Sequence, residues 1–283
     1  MEIRENENLK KYTTVKIGGT AQKFYIPENE SELIELTEKL KNEKYYILSG
    51  GSNILMNDKK TFPNVIYMMK CNGNIEDLGD GRFYAGCSVR LQKLITFINE
   101  RGYGGIEYLF SVPGALGGAV IMNAGRGKKY NKCISDYIVH VDVLKDGRKI
   151  AMDVKDCGFS YRNSVFKHSD MVILGVEFKF PQFDKEFLKE ERDKRTQFSK
   201  TRQDYSGNNF GTVFCKSSPK AMGVIKLLHP GYRNGISFSK KTTNWILNKG
   251  DGDFEQAMKV IKKAKRINRL FGVNAELEVI VWD

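Results

Sequence analysis

Apolar and polar positions alternate in short runs along most of this chain, and a longer period appears in only a few places. Residues 16–28, KIGGTAQKFYIPE, read as strand, glycine turn and strand, because two β-favouring runs flank Gly18 and Gly19. SELIELTEKLKN at 31–42 predicts a helix, with Ser31 as its cap and Leu33, Ile34, Leu36 and Leu40 along one face. YYILSGGSNILMND at 45–58 then predicts strand, glycine loop and strand. Beyond the turn-rich CNGNIEDLGDG, a strand opens at FYAGCS and a helix is expected over 89–100. YIVHVDVLKDGRKIAM reads as a β-hairpin turning at Asp146-Gly147, and MVILGVEFKF as a further strand.

At 185–202 the pattern becomes KEFLKEERDKRTQFSKTR, a helix too charged to bury more than a narrow stripe. FEQAMKVIKKAKRINRLFG at 254–272 predicts a second long helix, with Met258, Ile261, Ala264, Ile267 and Leu270 as its apolar stripe and Gly272 just past its end. ELEVIVW predicts a terminal strand, which would turn Glu276 and Glu278 to the same side. Composition shifts near 78 and 181 divide the chain into expected domains of 1–78, 79–181 and 182–283, mixed in helix and strand.

At 283 residues the chain has room for two or three such domains, and 41% apolar residues suit a folded protein. No apolar run is long enough to span a membrane, and the charged opening MEIRENENLKKYTT does not read as a secretory signal, so a cytoplasmic protein is expected. The excess of 46 Lys and Arg over 34 Asp and Glu fits nucleic acid or an acidic, phosphorylated small molecule equally well. No nucleic-acid module accompanies the basic run at 259–266, which reads as the wet face of a helix. Five cysteines without paired spacing argue for reduced thiols, and His140, His168 and His229 lack metal-ligand spacing, so no metal is expected.

Two glycine-rich stretches carry the binding chemistry. Ser49-Gly50-Gly51-Ser52-Asn53 follows an apolar strand, where glycines let successive amides face one anion and Ser52 and Asn53 add donors. Eight glycines fall from Gly102 to Gly127 with both ends included, among them those of Val112-Pro113-Gly114-Ala115-Leu116-Gly117-Gly118-Ala119. Asn123-Ala124-Gly125 follows. Such a backbone suits a flat or extended ligand, and packing of loop against strand accounts for part of it. Tyr161-Arg162-Asn163-Ser164 offers a guanidinium fork for a carboxylate or phosphate, or an ordinary surface turn. Gly211-Thr212-Val213-Phe214 offers a hydroxyl at a tight turn.

In this order, Thr14-Val-Lys-Ile-Gly-Gly19, Ser49 to Leu55, Gly104 to Tyr108, Val112 to Ala119, Asn123 to Gly125, Tyr161 to Ser164, Gly211 to Phe214, Asn244 to Asn248 and Glu276 to Val279 resemble the UDP-N-acetylenolpyruvoylglucosamine reductase (MurB) family of peptidoglycan precursor synthesis. The resemblance implies an α+β protein of three domains. A two-part FAD-binding module of the vanillyl-alcohol-oxidase/PCMH type precedes a C-terminal substrate domain. It implies noncovalent FAD held by Ser49, Gly50, Gly51, Ser52, Asn53, Ile54, Leu55, Pro113, Gly114, Gly117, Gly118, Asn123 and Gly125. NADPH would be the reductant and a nucleotide sugar, UDP-N-acetylglucosamine enolpyruvate, the acceptor, with Tyr161, Arg162, Lys200 and Asn244 on the substrate and Arg162, Thr212 and Glu278 catalytic. A monomer without nucleic-acid or membrane partners is expected.

Three positions depart from the resembling pattern: Thr212 stands where serine is usual, Phe214-Cys215-Lys216-Ser217 replaces Phe-Lys-Asn-Pro, and Lys241-Thr242 replaces Lys-His. A paralogous FAD oxidoreductase with another small substrate, or a noncatalytic flavin-binding protein, are the competing expectations.

Overall fold

Two separate groups of buried side chains organise the chain, each with its own sheet and helices, in a computed structural model that describes residues 1–127 and 130–283. Met1–Arg4, Phe24–Gly50 and Asn64–Lys200 form the first unit; Glu5–Lys23, Gly51–Pro63 and Thr201–Asp283 form the second. Each unit is thus assembled from distant stretches of sequence.

The first unit is built on a five-stranded antiparallel sheet in the order Arg148–Asp153, Ile138–Lys145, Val172–Lys179, Arg82–Gly86, Ile75–Gly79. The central strand Val172–Lys179 is buried at every position except Lys179, which is why it reads as a continuous apolar run. The hairpin turns where expected, with Lys145 opposite Arg148 and both Asp146 (φ 50°) and Gly147 (φ 71°) in the left-handed region that a tight two-residue turn demands. Strand Tyr45–Leu48 pairs in parallel with residues 64–67.

Helix α1, Glu30–Lys39, buries Leu33 and Leu36, but its cap is Asn29, whose side chain accepts from the Glu32 amide at 2.9 Å. Ser31 lies inside the first turn. α2, Leu91–Asn99, sinks Leu91, Leu94, Ile95 and Ile98 completely, and the short α3 spans Leu116–Ile121. α4, Lys185–Arg202, buries only Leu188 and Ser199, as its charge predicts.

In the second unit, Asn208–Thr212, Trp245–Asn248 and Ile236–Phe238 form an antiparallel sheet in that order. α5, Pro219–Leu228, starts at a Ser218 cap with proline in its first turn, and α6, Phe254–Leu270, at an Asp253 cap that accepts from the Gln256 amide at 2.7 Å.

Three expectations change here. The buried face of α6 is Phe254, Ala257, Val260, Ile261, Ala264 and Asn268, whereas Leu270 is 84% exposed. Six residues beyond Ala264, at ~100° per residue, Leu270 has turned well away from the core. Residues 16–19 are not a strand: Val15 and Ile17 are buried in irregular backbone, and only Thr20–Ile26 is extended into a sheet. Gly18 and Gly19 are required by close approach, since a Cβ would stand 2.6 Å from the Leu9–Lys10 backbone and 2.3 Å from the Lys60 carbonyl. The terminal ELEVIVW run is broken. Glu276–Leu277 pairs antiparallel with Phe214–Lys216, and Ile280–Trp282 pairs in parallel with Ile54–Met56.

Candidate active site

Strand Tyr45–Leu48 delivers the first glycine loop, and the chain passes from the first unit to the second between Gly50 and Gly51. On the first-unit side, a Cβ on Gly50 would stand 3.2 Å from Gly114 Cα, so the first glycine loop touches the second. The Ser49 hydroxyl lies 3.6 Å from the Met69 sulfur. Beyond the boundary, Gly51 has φ +60° and a Cβ there would fall 1.9 Å from the Tyr12 carbonyl oxygen, a position closed to any other residue. Ser52 is half-buried.

The second loop is anchored from beneath. Leu116 and Gly117 donate their amides to the Val89 and Cys87 carbonyls at 2.8 and 3.0 Å, and a Cβ on Gly117 would meet Cys87 Cβ at 3.3 Å. Gly118 differs: nothing lies within 4 Å of where its Cβ would be, although it occupies a helix, where alanine is the better residue. Pro113 is exposed and Gly114 adopts φ +132°.

On the segment that leads into this loop, the Tyr108 hydroxyl and Ser111 Oγ are buried without a hydrogen-bond partner among the described residues. Burial, reinforced by Asp136 and Tyr137, pushes the Tyr108 phenol far up, so it is a neutral hydroxyl. An unpaired buried hydroxyl costs about 1–3 kcal/mol. Two such groups beside a glycine loop with one open face fit an extended polar cofactor such as FAD.

Five more candidates, Asn123, Gly125, Tyr161, Arg162 and Lys200, lie in the same unit. Asn123 (φ 40°) donates to the Ser160 carbonyl at 3.0 Å and accepts from the Ser135 amide at 3.3 Å. Ser160 and Asn163 exchange backbone bonds, which forces Arg162 to φ 57°, and the Arg162 guanidinium reaches back to donate to the Gly125 carbonyl at 3.0 Å. It lies 5.6 Å from the centre of the exposed Tyr161 ring. Ser164 Oγ closes the turn on the Ile121 carbonyl at 2.7 Å. Arg162 is thereby half-buried and pre-aimed; its charge also opposes burial and Asp136, which together hold the Cys133 thiol high. Lys200 is the last residue of the first unit, exposed near the end of α4.

The second unit brings together Asn53, Thr212, Asn244 and Glu278. Asn244 (φ 69°) accepts the Val213 amide on its carbonyl at 2.9 Å, and its side chain both accepts from Phe214 N at 3.0 Å and donates to Phe214 O at 2.8 Å. The residue after Thr212 is thus gripped from both strands, with Thr212 opposite Trp245 and Gly211 at φ 77° before it. Glu278 stands in the break of the terminal strand: its amide donates to the Val213 carbonyl at 2.8 Å, and its carbonyl accepts from Asn53 Nδ2 at 3.1 Å. Ile280 returns a bond to Asn53 O at 3.1 Å, and Ile54 and Leu55 pair with Ile280 and Val281. Asn53, Ile54 and Leu55 therefore brace Glu278.

Glu276, by contrast, points to solvent and pairs with Lys216 at 2.7 Å. The break, not the two-residue spacing, sets the two carboxylates apart: Glu276 is exposed and Glu278 half-buried. An open depression of about 340 Å³, lined by Asn57, Lys59, Phe254 and Glu255 among others, includes none of these residues, and Glu255 there pairs with Lys59 and Lys259. Among the described residues there is no cluster of three or more potential metal ligands and no helix long and apolar enough to cross a membrane.

Tyr108 and Ser111 become candidates only in three dimensions, because nothing in their spacing shows that their hydroxyls are buried and without a partner among the described residues.

A family profile described as FAD binding domain matches residues 21–150. The chain is 31% identical to the UDP-N-acetylenolpyruvoylglucosamine reductase of Thermotoga sp. (strain RQ2) over 99% of its own length and 94% of that protein, and 32% identical to the one from Halalkalibacterium halodurans over 98% and 93%. The crystal structure of the same reductase (MurB) from Thermus caldophilus superposes with a TM-score of 0.80 at 27% identity, covering 100% of this chain and 98% of that one. The α+β architecture described above is therefore a MurB-like FAD-binding fold. Full-length identity and a shared fold lead to one conclusion: this chain belongs to the UDP-N-acetylenolpyruvoylglucosamine reductase (MurB) family.

Proposed function

We propose that the protein reduces UDP-N-acetylglucosamine enolpyruvate to UDP-N-acetylmuramate, a step of peptidoglycan precursor synthesis, as a cytoplasmic monomer. The observation that supports this reading is the Asn244 clamp, which holds Val213 and Phe214 directly after Thr212 while the Glu278 amide donates to the carbonyl of the same Val213. When bound, FAD supplies hydride transfer from NADPH to the enolpyruvyl double bond. On this reading the three parts of the chain, 1–78, 79–181 and 182–283, divide the work between holding the cofactor and holding the substrate.

The chain's own residues do the rest. Gly118 leaves open space for the cofactor's seat beside the paired Gly50 and Gly114 backbones, with Tyr108 and Ser111 hydroxyls as available donors. Arg162, preset by its turn and by Gly125, holds the substrate carboxylate, where its charge offsets electron density arriving at the neighbouring carbon. Thr212 Oγ1 gives the proton that completes the reduction, and Glu278 polarises the acceptor from the braced strand end. Tyr161 and Lys200 contact the nucleotide sugar.

A second reading is a related oxidoreductase with another substrate. What favours it is Lys216, which is spent on Glu276 at 2.7 Å in the segment that departs from the family pattern. Steady-state NADPH oxidation by FAD-loaded protein without oxygen, with and without UDP-N-acetylglucosamine enolpyruvate and with the product weighed by mass spectrometry, separates the two. Strong substrate-dependent turnover supports the first; a reducible flavin that ignores this substrate removes it.

A further inference from the structure

Asp204 has no part in the chemistry above, yet it is a carboxylate only 8% exposed. Its Oδ1 accepts the Ser206 hydroxyl at 2.7 Å and the Ser206 amide at 3.1 Å, and its Oδ2 accepts the Ser239 hydroxyl at 2.5 Å. Ser239, 1% exposed, also accepts on Oγ from the amides of Lys241 at 3.0 Å and Thr242 at 2.8 Å. A hydroxyl has one hydrogen and two lone pairs. With both lone pairs facing N–H donors, the hydrogen has to go to Asp204, so the direction of every bond in this chain is set by the carboxylate.

What Ser239 caps is the loop that ends in the clamp. The Ser239 amide donates to the Trp245 carbonyl at 2.9 Å, the Trp245 amide to the Thr242 carbonyl at 3.3 Å, and Thr242 Oγ1 to the Arg202 carbonyl at 3.0 Å. Asn244 lies inside that closed loop with its strained φ of 69°, and its three bonds fix Val213 and Phe214.

We propose that Asp204 is a positioning residue for Thr212: its carboxylate fixes Ser239 and the 239–244 loop, and through Asn244 that loop sets where the Thr212 hydroxyl stands. The part that concerns catalysis rests on the proposed reduction; the mechanical coupling does not. Burial alone would raise the Asp204 carboxyl, but the bonds from Ser239 and Ser206 and the charge of Lys241 outweigh it and hold it low, so it is an acceptor at neutral pH. A carboxamide cannot replace it fully, because only one of its two terminal atoms accepts, and either Ser239 or Ser206 loses its acceptor.

The test uses the full FAD-loaded chain with Asp204→Ala, Asp204→Asn and Thr212→Ala, alone and combined. Amide hydrogen exchange needs no substrate: Asp204→Ala should speed exchange at Lys241, Thr242, Val213 and Phe214 at least about tenfold while Val172–Lys179 keeps its protection. In turnover, kcat should fall about 10–100-fold with KM within about twofold, and NADPH-driven flavin reduction should not change. On a Thr212→Ala background, Asp204→Ala should add nothing. Unchanged exchange at Val213 and Phe214 overturns the proposal whatever the substrate, and so does an additive double variant. Altered exchange in a protein that never turns over this substrate upholds the coupling and removes the reaction assigned to it. If the alanine variant fails to fold, Asp204→Asn carries the same comparison.

Discussion

Asn244 combines a left-handed backbone, φ 69°, with two side-chain bonds to Phe214, and replacement by glycine or by alanine pulls these contributions apart. Glycine keeps the backbone free to turn and loses only the bonds, at about 1 kcal/mol net each, so about 2 kcal/mol. Alanine loses the same bonds and must also hold a Cβ at positive φ, for a further ~1 kcal/mol. The expected order is therefore Asn, then Gly, then Ala, at roughly 0, 2 and 3 kcal/mol of lost stability. That order reverses the usual advantage of alanine over glycine within regular structure. Urea unfolding followed by tryptophan fluorescence is well placed to see it, because the chain's two tryptophans, Trp245 and Trp282, both belong to the second unit. An alanine variant as stable as the glycine variant would refute the backbone part of this reasoning. Two variants within ~0.5 kcal/mol of the parent would refute the clamp.

Glycine contacts sort the two loops: Gly51→Ala, with its Cβ 1.9 Å from a carbonyl, should destabilise or prevent folding, whereas Gly118→Ala should leave the melting temperature unchanged or higher but lower the flavin-to-protein absorbance ratio. Undiminished flavin content in a folded Gly118→Ala protein would remove Gly118 from the cofactor seat. Thr212→Ser should retain turnover, while Thr212→Ala should slow substrate-dependent reoxidation of the reduced flavin by about 10²-fold without affecting its reduction by NADPH; equal rates for both variants would deny Thr212 its proton. Burial, followed by Lys240 and Lys249, holds His229 below its usual 6.5, so the folded protein binds that proton more weakly than the unfolded one. Its contribution to stability is present above 6.5 and is lost as pH falls through the folded value, and His229→Asn, which tolerates φ 44°, should flatten the fall in urea midpoint between pH 7 and 5. An identical slope in that variant would place the acid sensitivity elsewhere.

Local features were the legible ones. The hairpin at Asp146-Gly147, the apolar central strand 172–179 and the charged α4 each follow from neighbouring residues alone. The cap of α1 moved two residues, to Asn29, because the side chain that reaches the Glu32 amide wins over one already inside the first turn. The break at Glu278 was not legible, since it arises from two partners far away in sequence, Phe214–Lys216 and Ile54–Met56, that claim the two ends of one apolar run. Val15 and Ile17 have strand-like side chains but are held by packing without a ladder. Motif order marked Thr212 and Glu278, yet the Asp204 to Ser239 bond that organises the loop between them has no local signal, its ends being 35 residues apart.

The bond from Asn53 to Glu278 also sets a clock for biosynthesis, because its partners are 225 residues apart in the chain. At ~5–20 residues per second, roughly 10–45 s of translation separate their appearance. Through that interval the nascent strand Ile54–Met56, all of whose side chains are buried in the finished protein, waits without the neighbour it pairs with. The second unit therefore cannot close its ladder until Ile280–Trp282 has been made. Premature termination between Lys200 and Glu276 leaves the first unit's sequence whole and Glu278 absent, so on the proposed reading such truncated products should be chemically inert.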